Sequence, residues 1–113
     1  MQELNLCQHI IALIREKSLS KSFRRVKRVQ LEIGEFVRIN KPAILFCFNQ
    51  LSRDSVAEGA KIDFIDIPAS AICEVCHKIF LIKTLKEPCH HCDALNIRLL
   101  SGEELSIREI EVE

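Results

Sequence analysis

The chain has no tryptophan and no tyrosine, and its aromatic side chains are six phenylalanines. A core for 113 residues must therefore be built mainly from Ile, Leu and Val. Neither sign of charge dominates. Sixteen Lys and Arg cancel sixteen Asp and Glu, so whole-chain electrostatics argues against a nucleic-acid or membrane partner. No apolar run is longer than Ala43 to Phe48, far short of the roughly 20 residues that cross a bilayer. The start, Met1-Gln2-Glu3, has no basic segment ahead of an apolar stretch, so a signal peptide is not expected and the reading is a cytoplasmic protein. There is no Gly-rich phosphate loop and no Ser/His/Asp constellation, so no enzyme is expected. No internal repeat or low-complexity segment appears.

What the chain does carry is cysteine. Four of its six cysteines stand in two pairs, Cys73-Glu-Val-Cys76 and Cys89-His-His-Cys92, with Pro88 just before the second. A C-x-x-C can fold as a tight knuckle that aims two thiolates at one ion. Two facing knuckles close a tetrahedral S₄ shell, the structural arrangement of zinc, with no position left open for water. The paired spacing favours zinc over a redox dithiol. Cys73 to His77 taken alone also matches a c-type haem attachment site; the second pair and the missing export signal argue against it. His77, His90 and His91 can exchange for a thiolate or tune the site with pH, although such neighbours are more often solvated. Cys7 and Cys47 stand alone in apolar patterns and read as small buried hydrophobes, with no disulfide expected in a reducing compartment.

Periodicity supplies the rest. Leu6, Ile10, Leu13 and Ile14 fall at helical spacing, widened by Cys7 and Ile11, and predict a helix over 4–17 that the polar stretch Ser18 to Arg24 ends. Val29, Leu31 and Ile33 alternate with polar residues up to Gly34, the pattern of a half-buried strand. Asn40 is a suitable N-cap and Pro42 suits the first turn of a second helix, with Ile44, Cys47, Phe48 and Leu51 on its buried face. Ile62 and Phe64 mark a second strand, and Pro68 the exit towards the cysteines. Short ribbon strands are expected at 79–82 and 96–100, and a last strand at 105–112.

The expected fold is therefore α+β: two helices on a three-stranded, mainly antiparallel sheet with an inserted zinc-ribbon module. Residues 1–69 together with 100–113 form the α/β domain, and 70–99 the ribbon. Residues 15–28 hold seven basic residues against Glu16, while 103–113 hold five Glu against Arg108. A phosphate-binding patch is one reading of the basic stretch; pairing with the acidic last strand is the favoured one.

The order of these features closely resembles the HypA/HybF family of hydrogenase maturation proteins, over the whole chain. The likeness rests on the Met-x-Glu start, Ile33-Gly34-Glu35, Phe46-Cys47-Phe48, Ser55-Val56-Ala57-Glu58-Gly59, the two cysteine pairs and Ile107-Arg108-Glu109-Ile110-Glu111. The resemblance implies a nickel metallochaperone that serves the large subunit of [NiFe]-hydrogenase with a partner nickel GTPase, and in some bacteria urease maturation proteins. It also implies a nickel site at the chain start, where family members begin Met-His-Glu. Ni(II) prefers square-planar nitrogen ligands, which an α-amine, backbone amides and an imidazole supply within three residues. Here Met1, Gln2 and Glu3 occupy that site, and Gln2 replaces the imidazole with a poor amide donor. An acidic residue that family members can carry near the second helix is Asn40 here. Glu3 has a second reading as an acid favoured at a helix N-terminus, and Asn40 as a plain N-cap. The competing function class is a zinc-ribbon interaction module that docks a protein or nucleic acid without nickel delivery.

Overall fold

The computed structural model describes residues 2–113. The first helix, α1, spans Gln2–Ser20 and buries Leu6, Cys7, Ile10, Ile11 and Ile14, the stripe its spacing predicts. It runs past the expected end at residue 17. The Ser18 and Ser20 hydroxyls donate back to the carbonyls of Arg15 and Lys17, and the Lys21 N–H donates to Lys17, so the Lys17 carbonyl of the last turn finds local partners.

Strand β1 (Val26–Gly34) buries Val29, Leu31 and Ile33, with Val26 and Gly34 at its ends. Helix α2 (Lys41–Leu51) begins as predicted. Asn40 takes the extended conformation, its side-chain oxygen accepts the Ala43 N–H at 2.9 Å, and Pro42 sits in the first turn. Its buried face is narrower than expected: Ile44 and Phe48 are buried, whereas Cys47 and Leu51 are half-buried. Cys7 is fully buried, its thiol donates to the Ile44 carbonyl at 3.3 Å, and burial pushes that thiol up to about 11. It is an unreactive core residue.

Strands β2 (Lys61–Ile67) and β6 (Leu105–Val112) flank β1 in the order β2-β1-β6. At one end of β1, Arg24 N–H donates to Glu113 and Glu113 N–H to Arg25; at the other, Gly34 N–H donates to Glu104. Strand β6 thus runs antiparallel to β1. Against β2 the starts match: Arg28 pairs with Asp63 at 2.6 Å, and Glu35 N–H donates to Ile67 at the far ends. That pair runs parallel, as a crossover through a helix requires, and makes the sheet mixed. The basic stretch meets acids on β6: Arg25 pairs with Glu113, Lys27 with Glu111 at 3.9 Å and Arg28 with Glu111 at 3.8 Å. Each such exposed pair contributes about 0.2–1 kcal/mol.

A second sheet has the order β4-β3-β5, all antiparallel, from β3 (Ser70–Cys73), β4 (Ile79–Leu81) and β5 (Ile97–Ser101). Strand β3 carries too few β-branched or aromatic residues to be expected from propensity. The chain divides into two compact units. One holds Met1–Leu31, Arg38–Phe64 and Ile107–Glu113; the other Glu32–Val37 and Ile65–Ser106. The first has its core in α1, β1 and α2. The second packs Ala69, Ala71, Cys73, Phe80, Ile82 and Cys89. It also contains a close backbone crossing: a Cβ on Gly34 would lie 2.2 Å from the carbonyl carbon and oxygen of Gly102.

Candidate metal centre

The two C-x-x-C segments fold as near-duplicates. In the first, the Cys73 sulfur accepts N–H bonds from Val75 and Cys76 at 3.3 Å, and the Cys73 carbonyl accepts from His77 at 2.9 Å. In the second, the Cys89 sulfur accepts from His91 at 3.3 Å, and the Cys89 carbonyl accepts from Asp93 at 3.0 Å. Each turn closes on a left-handed residue, His77 at φ 62° and Asp93 at φ 63°. Asp and His are among the few side chains enriched in that region.

The hairpin of β3 and β4 carries the first knuckle, and Pro88 leads into the second. All four sulfurs lie within 4.8 Å of one another. Cys73 and Cys92 are 3.6 Å apart, as are Cys76 and Cys89. Zinc–thiolate bonds of about 2.3 Å in a tetrahedron require sulfur–sulfur edges of about 3.8 Å, so the donor set fits zinc. Backbone N–H donation, first from Cys76, holds the Cys73 thiol down to about 6. An Ala94 N–H pulls Cys92 the same way, but desolvation and the surrounding sulfurs push it up to about 12. Four thiolates repel one another in so small a space, and a divalent cation relieves that repulsion.

No histidine joins this group among the described residues. His90 bonds the Glu87 carboxylate at 2.8 Å and lies over the Phe80 ring at 4.6 Å, with His91 edge-on to the same ring at 6.4 Å. Glu87 also accepts N–H bonds from Lys83 and Thr84, so the loop between the knuckles is tied to the second one.

At the chain start, Gln2 is exposed and Glu3 half-buried, while Met1 lies outside the described residues. The Glu3 carboxylate accepts the Asn40 N–H at 3.0 Å, and this bond holds its pKa below the usual carboxylate range. Two residues 37 positions apart, both singled out by the sequence, are thereby neighbours.

A family profile described as hydrogenase/urease nickel incorporation, metallochaperone, hypA, matches residues 1–112. The chain belongs to the HypA family. It is 35% identical over 113 residues to hydrogenase maturation factor HypA 2 of Bradyrhizobium diazoefficiens, covering 100% of both chains. It is 39% identical to hydrogenase maturation factor HypA of Actinobacillus succinogenes, again with 100% coverage of both. Two solution structures share the fold. One, of HypA protein, has a TM-score of 0.80 at 24% identity, covering 100% of this chain and 97% of that one. The other, of the Ni metallochaperone HypA from Helicobacter pylori, has a TM-score of 0.66 at 22% identity, covering 97% and 96%.

HypA membership leaves the reading as a docking module without nickel delivery unsupported. Among the described residues no helix is long and apolar enough to cross a membrane. The four cysteines that the sequence pairs by spacing are the four that the structure brings together. Sequence reasoning missed the left-handed turn residues, for which His and Asp are a weak signal, and the role of Glu87, which nothing local marks.

Proposed function

We propose that this HypA protein acts in the cytoplasm as a non-enzymatic carrier that passes nickel to the large subunit of [NiFe]-hydrogenase. It works with a nickel GTPase, and its nickel end is weakened relative to the family pattern. In this reading Cys73, Cys76, Cys89 and Cys92 hold a structural zinc within a ribbon of residues 70–99. Residues 1–69 with 100–113 form the domain that handles nickel through Met1, Gln2 and Glu3. Zinc supplies the charge that lets four thiolates coexist and the cross-link that orders the ribbon. With four sulfur donors engaged, the ion has no vacant position for catalysis.

The observation that carries the nickel reading is the Glu3–Asn40 hydrogen bond at 3.0 Å. It brings a carboxylate kept ionised by an N–H donor beside the position where family members can carry an acid. A carboxylate that already accepts from Asn40 has one oxygen left for an ion. Gln2 supplies an amide where an imidazole would bind nickel more strongly.

The test is isothermal calorimetry with Ni(II) on untagged wild-type and Gln2→His protein at one pH. Gln2 is exposed, so its replacement leaves the fold unchanged. Restoring the imidazole should tighten nickel binding by about tenfold or more, by analogy with the cost of disturbing metal-site ligation. Equal affinities would place the nickel site elsewhere.

A further inference from the structure

The sheet β2-β1-β6 leaves β6 as an outer strand, with one side of its backbone unpaired. Beside it, in the first compact unit, lies a groove of about 440 Å³ whose apolar floor includes Leu13, Ile14 and Phe23 of the α1 side. Strand β6 contributes Ile107, Arg108, Glu109, Ile110 and Val112. Side chains of a strand alternate between faces, so a groove over one face would touch every second residue. Contact with four successive residues means that this groove follows the strand's edge.

The rim is cationic. Lys17, Lys21 and Arg108 line the groove against one carboxylate, Glu109. Arg25, Lys27 and Arg28 are matched by Glu113, Glu111 and Asp63, whereas among the described residues Lys17, Lys21 and Arg108 have no acidic partner. Neither the cysteine cluster nor the chain start uses any of these groups.

We propose that the edge of β6 and this groove dock an extended segment of a partner protein in which apolar and acidic side chains alternate. The segment adds a strand beside β6. Its backbone takes the outward N–H and C=O groups, its apolar side chains fill the space against Leu13 and Phe23, and its carboxylates reach Lys17 and Lys21. A fatty acid would satisfy the floor and the lysines but leave the strand edge unpaired, so the peptide is the better fit. This site is independent of nickel and zinc chemistry.

The probe is an acetylated, amidated octapeptide of alternating Val and Glu, titrated into zinc-loaded, isotope-labelled full-length protein and followed by amide NMR. Shifts should concentrate at Phe23 and Ile107–Val112. The same peptide N-methylated at alternate residues cannot complete the strand ladder and should not bind. The double variant Lys17→Glu, Lys21→Glu, at two exposed positions, should bind the Glu peptide about tenfold more weakly, since two attractive charges become repulsive. It should gain affinity for a Val–Lys octapeptide. Absence of shifts along β6, or equal binding of the N-methylated peptide, overturns the proposal. So does displacement of the peptide by laurate with the same shifts, which would make the groove a lipid site. The same shift pattern on raising protein concentration alone would make it a self-association surface and also overturn it.

Discussion

Cys89→Ala is the perturbation that most directly probes the ribbon. Cys89 is fully buried, its sulfur lies 3.6 Å from that of Cys76, and it accepts the His91 N–H at 3.3 Å. Alanine removes one of four thiolates and opens the tetrahedron. Structural zinc in small modules has an apparent binding free energy of about 10–16 kcal/mol, and that energy is folding energy. The buried core of the second unit offers little to replace it: of its six members two are cysteines of the cluster and two are alanines, leaving Phe80 and Ile82, with Phe36, Ile97 and Leu99 partly buried against them. Burying Phe80 and Ile82 contributes about 1.5–3 kcal/mol each. The variant should therefore lose its zinc and the amide dispersion of residues 70–99. Helices α1 and α2 should persist, because Ile10, Ile14, Leu31, Ile44 and Phe48 form a core that contains no ligand. Metal analysis, far-UV circular dichroism and an amide spectrum measure the three effects separately. Stoichiometric zinc together with an undisturbed amide pattern over 70–99 would refute the reasoning.

Three further outcomes follow from the sheet and the backbone. Truncation after Leu100 deletes β6 and breaks the hydrogen bonds that Gly34 makes with Glu104 and that Arg24 and Arg25, leading into β1, make with Glu113. Each of these hydrogen bonds contributes about 0.5–1.5 kcal/mol net, so the helical unit should melt below the full chain, and equal melting curves would contradict the pairing. Gly34→Ala puts a methyl 2.2 Å from the Gly102 carbonyl, where only main-chain movement can make room. Its cost should exceed the about 0.5–3 kcal/mol of an ordinary substitution, and an unchanged melting temperature would refute the close crossing. Glu113 has its pKa lowered, chiefly by the hydrogen bond from Arg25. A carboxylate depressed in the folded state contributes stability above its unfolded pKa and loses it as pH falls through the folded value. The melting-temperature gap between wild type and Glu113→Gln should therefore be present at neutral pH and shrink on acidification; a gap that does not change with pH would rule out that ion pair as its source.

The features that depend on local periodicity or spacing were readable without the structure. The α1 stripe, the Val29–Leu31–Ile33 alternation, the Asn40 cap and the turns of the cysteine pairs are each encoded within a few residues. Opposite charge in residues 15–28 and 103–113 also led to the correct pairing of β6 with β1. Other features depend on contacts that no local pattern encodes. Strand β3 is held by neighbours on both sides, not by propensity. The extra turn of α1 follows from two serine hydroxyls that bond backward, a choice that the same residues could equally make outside a helix. The meeting of Glu3 with Asn40 and the approach of Gly34 to Gly102 are tertiary facts, written only in the folded chain.

The duplicate geometry of the knuckles has a kinetic consequence. Each half presents two sulfurs on a short, locally hydrogen-bonded turn, so either one can seize an ion first as a bidentate clamp. The second half is then tethered by the segment from His77 to Pro88, and its arrival is an intramolecular search. Loops of about 10 residues close in roughly 10–100 ns, far faster than a second metal-bearing molecule could intervene at low concentration. Loading should thus proceed through a half-bound state that is brief and has no obligatory order of knuckles. Unassisted removal retraces it, one pair of sulfurs at a time.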